Sequence, residues 1–220
     1  MGGCERRRAP AGSGVAALKH GEPLFEDTRV DRLESALRSH AWQRIEPAAG
    51  FAEAGVAIVV RAAEPLEVLF IRRTDRPGDP WSGHVAFPGG RRSVEDTDIR
   101  ATALRETEEE TGLAVARVGR VIGRLDDLAT SHRLPRVVIS PFVVAIPPSI
   151  EAQPDPREVL TAAWVPMPAL RDAGAVSELF IERDGGRLRF PSLIWQDYVI
   201  WGLTHRILGQ FLEVAAGAGL

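Results

Sequence analysis

Glu106, Glu109 and Glu110 stand at i, i+3 and i+4 in the stretch Arg105–Leu113 (RETEEETGL), so a helix here sets three carboxylates on one face. No lysine shares that face, and with Glu108 four glutamates fall within five residues. Like charges at this spacing repel one another, and a divalent cation relieves the repulsion. Hard oxygen donors of this kind suit Mg²⁺ or Mn²⁺. Just upstream, Phe87-Pro88-Gly89-Gly90 ends a short apolar run with a loop whose backbone can approach a ligand, because glycine has no side chain in the way. Strand, glycine loop and acidic helix together describe a site for a metal-bound phosphate.

The wording of the helix is more specific than its charge. Arg105–Leu113 resembles the core of the Nudix box: Arg-Glu, an aliphatic residue, any residue, Glu-Glu, any residue, Gly and an aliphatic residue. The sequence departs from it in two places. The family pattern sets a Glu six residues after the second glycine, where this chain has Asp96, and Arg105 follows one residue late; counted from Gly89, Glu95 takes the slot and the insertion grows to two. Thr107 occupies the aliphatic position. The resemblance implies an α/β fold, a Nudix-type α/β/α sandwich around a mixed sheet with extra terminal helices, over about residues 50–210. It also implies Glu106, Glu109 and Glu110 as metal ligands, with the Gly90 carbonyl adding another, and Arg105 orienting a glutamate by a charge-assisted hydrogen bond. The general base is left open between Glu109 and a later loop carboxylate such as Glu158.

The segment before the box, LFIRRTDRPGDPWSGHVAFPGG, is similar to the extra signature of coenzyme A pyrophosphatases, with Arg73, Gly83, Val85 and Phe87 in its key places. Asp79-Pro80-Trp81-Ser82 departs from the Leu-Arg-x-His element of that subfamily and is one residue longer. Ile200–Leu208 (IWGLTHRIL) resembles its last helix. The implied reaction is metal-dependent cleavage of coenzyme A or its thioesters to 3′,5′-ADP and (acyl-)4′-phosphopantetheine. The alternatives are another nucleoside diphosphate compound, a nucleoside triphosphate, or a non-catalytic ligand-binding module of the same fold. Arg72, Arg73, Arg76, Arg91 and Arg92 surround the glycine loop in sequence. With Gly89 and Gly90, the arginines at 72, 73, 91 and 92 are the expected substrate-binding groups.

Composition narrows the partners. A net charge of −3 gives no whole-molecule field for nucleic acid or an anionic membrane, so the expected partner is a small pyrophosphate compound; a homodimer is left open. No apolar run reaches the roughly 18 residues of a membrane span. The single cysteine, Cys4, rules out an internal disulfide and fits a reducing, cytoplasmic setting. His84 and His132 lack a metal-spaced partner and read as structural; Trp195, Tyr198 and Trp201 read as core or subunit contacts.

The elements that must position these groups follow from periodicity. Residues 1–25 read as a flexible tail and 26–220 as one domain, with an N-terminal helix over about 28–46 and a C-terminal helix over about 198–215. Gly55–Val60, Leu66–Ile71, His84–Phe87, Val118–Leu125, Val137–Ile146 and Val159–Val165 read as strands, with a turn over Met167–Asp172. Leu179–Glu182 and Arg187–Phe190 flank a hairpin turn. The acidic helix runs over about 98–111, capped by Thr97 or Asp96 and closed by Gly112.

Overall fold

The computed structural model describes residues 25–79, 81–130, 135–183 and 186–220. The expectations for the tail and for His132 lie outside the described residues. In chain order the elements are α1 (Thr28–Ser39), β1 (Ala52–Arg61), β2 (Glu67–Arg73), β3 (Val85–Ala86), β4 (Gly89–Arg91), α2 (Ile99–Thr111), α3 (Val115–Val118), β5 (Arg120–Arg124), β6 (Leu128–Ala129), β7 (Val137–Ile146), β8 (Val159–Pro166), α4 (Met167–Leu170), β9 (Val176–Arg183), β10 (Gly186–Trp195), β11 (Tyr198–Trp201) and α5 (Gly202–Gly217).

The centre of the main sheet is the parallel pair β1 and β7, in register from Ala52 opposite Val137 to Arg61 opposite Ile146. Their near-continuous apolar runs are those of strands buried on both faces. β2 pairs antiparallel with β1 and carries β8 and β3 on its two sides, while β5 closes the far side against β7. One face of this mixed sheet packs against α1, α5 and the meander β9–β10–β11, in a core that includes Leu33, Ile58, Phe70, Ile200 and Phe211. The other face packs against α2 and α3 around Ala57, Leu69, Leu113 and Val144. The layers are those of an α/β/α sandwich.

Three boundaries differ from expectation. α1 ends at Ser39 rather than near residue 46, because the amides of Gln43 and Ile45 donate to the carboxylates of Asp126 and Asp127 (2.9 and 3.0 Å) instead of to helical carbonyls. The glycine stretch is a strand, not a loop, with Gly89 opposite Val56 and Gly90 opposite Gly55. The last helix starts at Gly202: Gln196, at φ 53°, turns the chain so that Tyr198–Trp201 pairs with β10, burying Tyr198 and Ile200 with period two.

The closest approach in the sandwich is at Gly55, where a Cβ would overlap the carbonyl oxygen of Ile99 and lie 2.9 Å from the Ala103 amide nitrogen. Both are backbone atoms of α2, which therefore has to move away from the sheet to admit a methyl group. Gly55→Ala is expected to destabilise by about 1–3 kcal/mol through overpacking. Gly209→Ala, in α5 with open space around it, is expected to gain about 0.5–1 kcal/mol from helix propensity. Thermal unfolding of the two variants checks the contrast, and a neutral Gly55→Ala would refute this packing.

Candidate functional site

α2 starts at Asp98, whose side chain caps the Ala101 amide at 2.7 Å, rather than at Asp96 or Thr97. It stops at Gly112, left-handed at φ 68°. Its inner face buries Thr102, Ala103, Thr107, Glu110 and Thr111. Thr107 is tolerated at a fully buried position because its hydroxyl donates to the Ala103 carbonyl at 2.7 Å.

The helix brings the three expected carboxylates to the β4 side. Glu110 is 1% exposed; one of its oxygens accepts the Gly89 amide at 2.9 Å and the other faces Arg73 at 3.4 Å. Glu106 lies so close to Gly90 that a Cβ there would overlap its carboxyl group. Gly89, at φ 153°, has no room for a Cβ against the backbone of Gly55 and Val56. Glu109 is the most exposed of the three. Glu108 points away and pairs with Arg117 at 3.0 Å.

Arg105 is the hub. Its guanidinium grips Asp96 with two bonds of 2.9 and 3.0 Å and reaches Glu106 and Glu109 at 2.8 Å each. Of the two loop carboxylates, Asp96 rather than Glu95 turns inward. It also accepts from the Ser93 amide and the Thr102 hydroxyl, and Arg105 holds its carboxyl far below the usual range, whereas Glu95 is exposed. Glu158 joins from the turn before β8, paired with Arg76 at 3.2 Å, and its charge is felt by both Glu106 and Glu110.

The five arginines do not form one cluster. Alternation along β2 sends Arg73 to the α2 side, between Asp79 and Glu110, and Arg72 to the opposite face, where it bonds Asp197 at 2.9 Å and lies over the Tyr198 ring. Arg92 turns to Glu53 at 2.9 Å. Arg91 is exposed beside Gly90, with no ion-pair partner among the described residues. Asp79 was not singled out by sequence, although an acid within the loop that follows Arg73 was the available signal. It holds Arg73 at 3.1 Å and accepts the Trp81 amide at 3.0 Å.

A family model for the NUDIX domain matches residues 52–183. The chain belongs to the Nudix family. It is 32% identical over 150 residues to an uncharacterised Nudix hydrolase, NudL, of Photorhabdus laumondii, covering 68% of this chain and 78% of that protein. A NudL of Yersinia pestis is 31% identical over 160 residues, covering 73% and 78%. The fold is shared with a solved MutT/nudix family protein from Enterococcus faecalis at TM-score 0.53 and 17% identity, covering 87% of this chain and 76% of that one. The protein is thus a Nudix hydrolase.

Nudix hydrolases generally use divalent metal ions, and the donor set can be tested for one. Among the described residues no three carboxylates already converge as an ion cage, since Arg105 and Arg73 lie between them. The site nevertheless gathers six carboxylates, Asp79, Asp96, Glu106, Glu109, Glu110 and Glu158, around three guanidinium groups, Arg73, Arg76 and Arg105. Burial pushes Glu106 upward and Glu110 to about 7, so a charge at these positions lacks full compensation. Hard oxygen donors with a surplus of negative charge fit a divalent cation.

Glu110 ties stability to pH. Its carboxyl binds a proton more tightly in the folded protein than at the ordinary 4.5, so its stabilising contribution is full below about 4.5 and is lost as pH rises through about 7. In metal-free protein, Glu110→Gln is expected to flatten the decline of Tm across that window and to melt above wild type beyond pH 7. Parallel Tm curves for the two proteins would contradict the assignment.

Proposed function

We propose that this hydrolase cleaves the pyrophosphate link of coenzyme A or its thioesters, releasing 3′,5′-ADP and 4′-phosphopantetheine or its acyl thioester, with Mg²⁺ or Mn²⁺ as cofactor. The observation that carries the reading is the contact between Arg73 and Glu110. It joins the arginine of the coenzyme A pyrophosphatase signature to the buried glutamate of the Nudix box. Two other signature residues, Val85 and Phe87, are buried in the core next to Phe70, which fixes the strand that leads into the glycines.

Glu106, Glu109 and Glu110 would hold the metal, with the Gly90 carbonyl beside them. A bound cation supplies neutralisation of the phosphate oxygens and a lowered pKa for an attacking water. Arg105, anchored on Asp96, fixes the rotamers of Glu106 and Glu109 and is a positioning residue. Glu158, half exposed and free of the helix, takes the water's proton. Arg91 is the cation we assign to the substrate's phosphates, since Arg72, Arg73, Arg76 and Arg92 are each paired with a carboxylate of the protein.

Glu109→Gln and Glu110→Gln are each expected to lower kcat by about two or more powers of ten with the fold retained, whereas Glu108→Gln leaves it nearly unchanged. Retained turnover in both of the first two would remove the metal site. Glu158→Gln is expected to lower kcat by about 10²–10⁴, as loss of a general base does.

Substrate identity is tested by separating the products formed from coenzyme A, dephospho-coenzyme A, NADH, ADP-ribose and nucleoside triphosphates. A charge-assisted bond to the ribose 3′-phosphate is worth roughly 1.5–3 kcal/mol, or about one to two powers of ten. Coenzyme A is therefore expected to be cleaved at least about tenfold more efficiently than its dephosphorylated form, and Arg91→Ala to narrow the gap. Preference for a nucleoside triphosphate would overturn the substrate assignment and leave the metal site standing.

A further inference from the structure

The meander β9–β10–β11 has two unlike faces. In its register Leu193 lies opposite Ile200 and Trp195 opposite Tyr198, and this side is in the core. The side chains that alternate with these point the other way: the apolar Leu179, Ile181, Leu188, Phe190, Ile194 and Val199, with the Ser177–Ser192 pair among them, Ser192 covered. None of the six belongs to either hydrophobic cluster, and Leu188 and Ile194 are 37% and 41% exposed. Trp201, on the same face, lies opposite Ser192, between Phe190 and Ile194.

Trp201 also touches the segment that leads from β2 into β3. The Trp201 ring packs on Phe190 at 5.3 Å and on His84 at 4.8 Å. The His84 carbonyl accepts the Arg73 amide at 3.1 Å, and Arg73 reaches Glu110. The apolar face is therefore joined to the carboxylate site by an unbroken run of contacts.

Area decides what suits it. Seven partly shielded apolar side chains expose on the order of 300 Å², an ordinary size for a functional patch. A stable dimer buries about 800 Å² per partner. From Ile194 to Leu188 the strand runs about 20 Å, enough for an extended ten-carbon chain of roughly 12 Å. A pantetheine arm spans roughly 17 Å, which carries a thioester clear of the phosphates.

We propose that this outer face of the β9–β10–β11 meander is the wall that binds the apolar acyl chain of a thioester substrate. The proposal rests on the coenzyme A reading above. A chain lying on an open face is covered on one side, so each methylene is expected to strengthen binding about twofold, half of what full burial gives on a logarithmic scale.

The test is a series of kcat and KM values for coenzyme A and its acetyl, hexanoyl and decanoyl thioesters, with the Leu188→Asp and Ile194→Asn variants and a light-scattering mass for each protein. The expected result is a KM that falls about tenfold or more from hexanoyl to decanoyl at nearly constant kcat. Each variant is expected to flatten that slope while its circular dichroism stays that of wild type. A flat series with coenzyme A still cleaved overturns the wall alone. A flat series with a dimer that Leu188→Asp splits overturns it in favour of a second copy. Cleavage of nucleoside triphosphates but of no coenzyme A compound overturns the substrate reading and the wall with it.

Discussion

The structure depends on how closely the β1–β4 pair approaches α2. Two glycines, Gly55 and Gly90, keep side chains out of that contact, and Gly89 seats the β4 backbone against β1. The helix therefore rests on bare backbone at its first turn, and at later turns Glu106 and Glu110 lie against bare backbone as well. Space that side chains would fill is taken by carboxylates, one of which finds a peptide N–H to accept. Burial raises the proton affinity of both, and a ligand of positive charge is what the arrangement lacks.

Arginines carry the rest of the electrostatics, each by a different route. Arg105 is held by a nearly buried aspartate, so it can lean on two glutamates of its own helix without itself needing a site ligand. Arg73 links the helix to the 74–84 loop through Asp79, and Arg76 links that loop to Glu158. The loop is thus pinned at two points, to Arg73 and to Glu158. Through His84 it also meets Trp201, so the meander on the far side of the sheet abuts the same loop.

The parts of this arrangement that depend on local spacing were legible in the sequence. The i, i+3, i+4 glutamates and the closing Gly112 pointed to the helix and to the shared side of Glu106 and Glu110, and β7 runs over the expected Val137–Ile146. Parts that depend on tertiary partners were not. Loop spacing alone could not say whether Glu95 or Asp96 turns inward, because Thr102 and Arg105 make that choice from the helix. Five arginines close together in sequence looked like one cluster, yet strand alternation and distant acids, Asp197 and Glu53, separate them. Tyr198–Trp201 read as helix because its apolar residues continue into α5, and the Gln196-Asp197 turn has none of the usual glycine signals.

The claim on which the account stands is that the buried carboxylates of α2 form a cation site. Titrating Mn²⁺ into the substrate-free protein and following the free-ion signal by electron paramagnetic resonance measures that site without any assumption about the substrate. The account predicts saturable binding that strengthens as pH rises through about 7, where Glu110 gives up its proton, and that weakens by roughly tenfold or more in Glu110→Gln. Binding of equal strength in wild type and Glu110→Gln at every pH would contradict it.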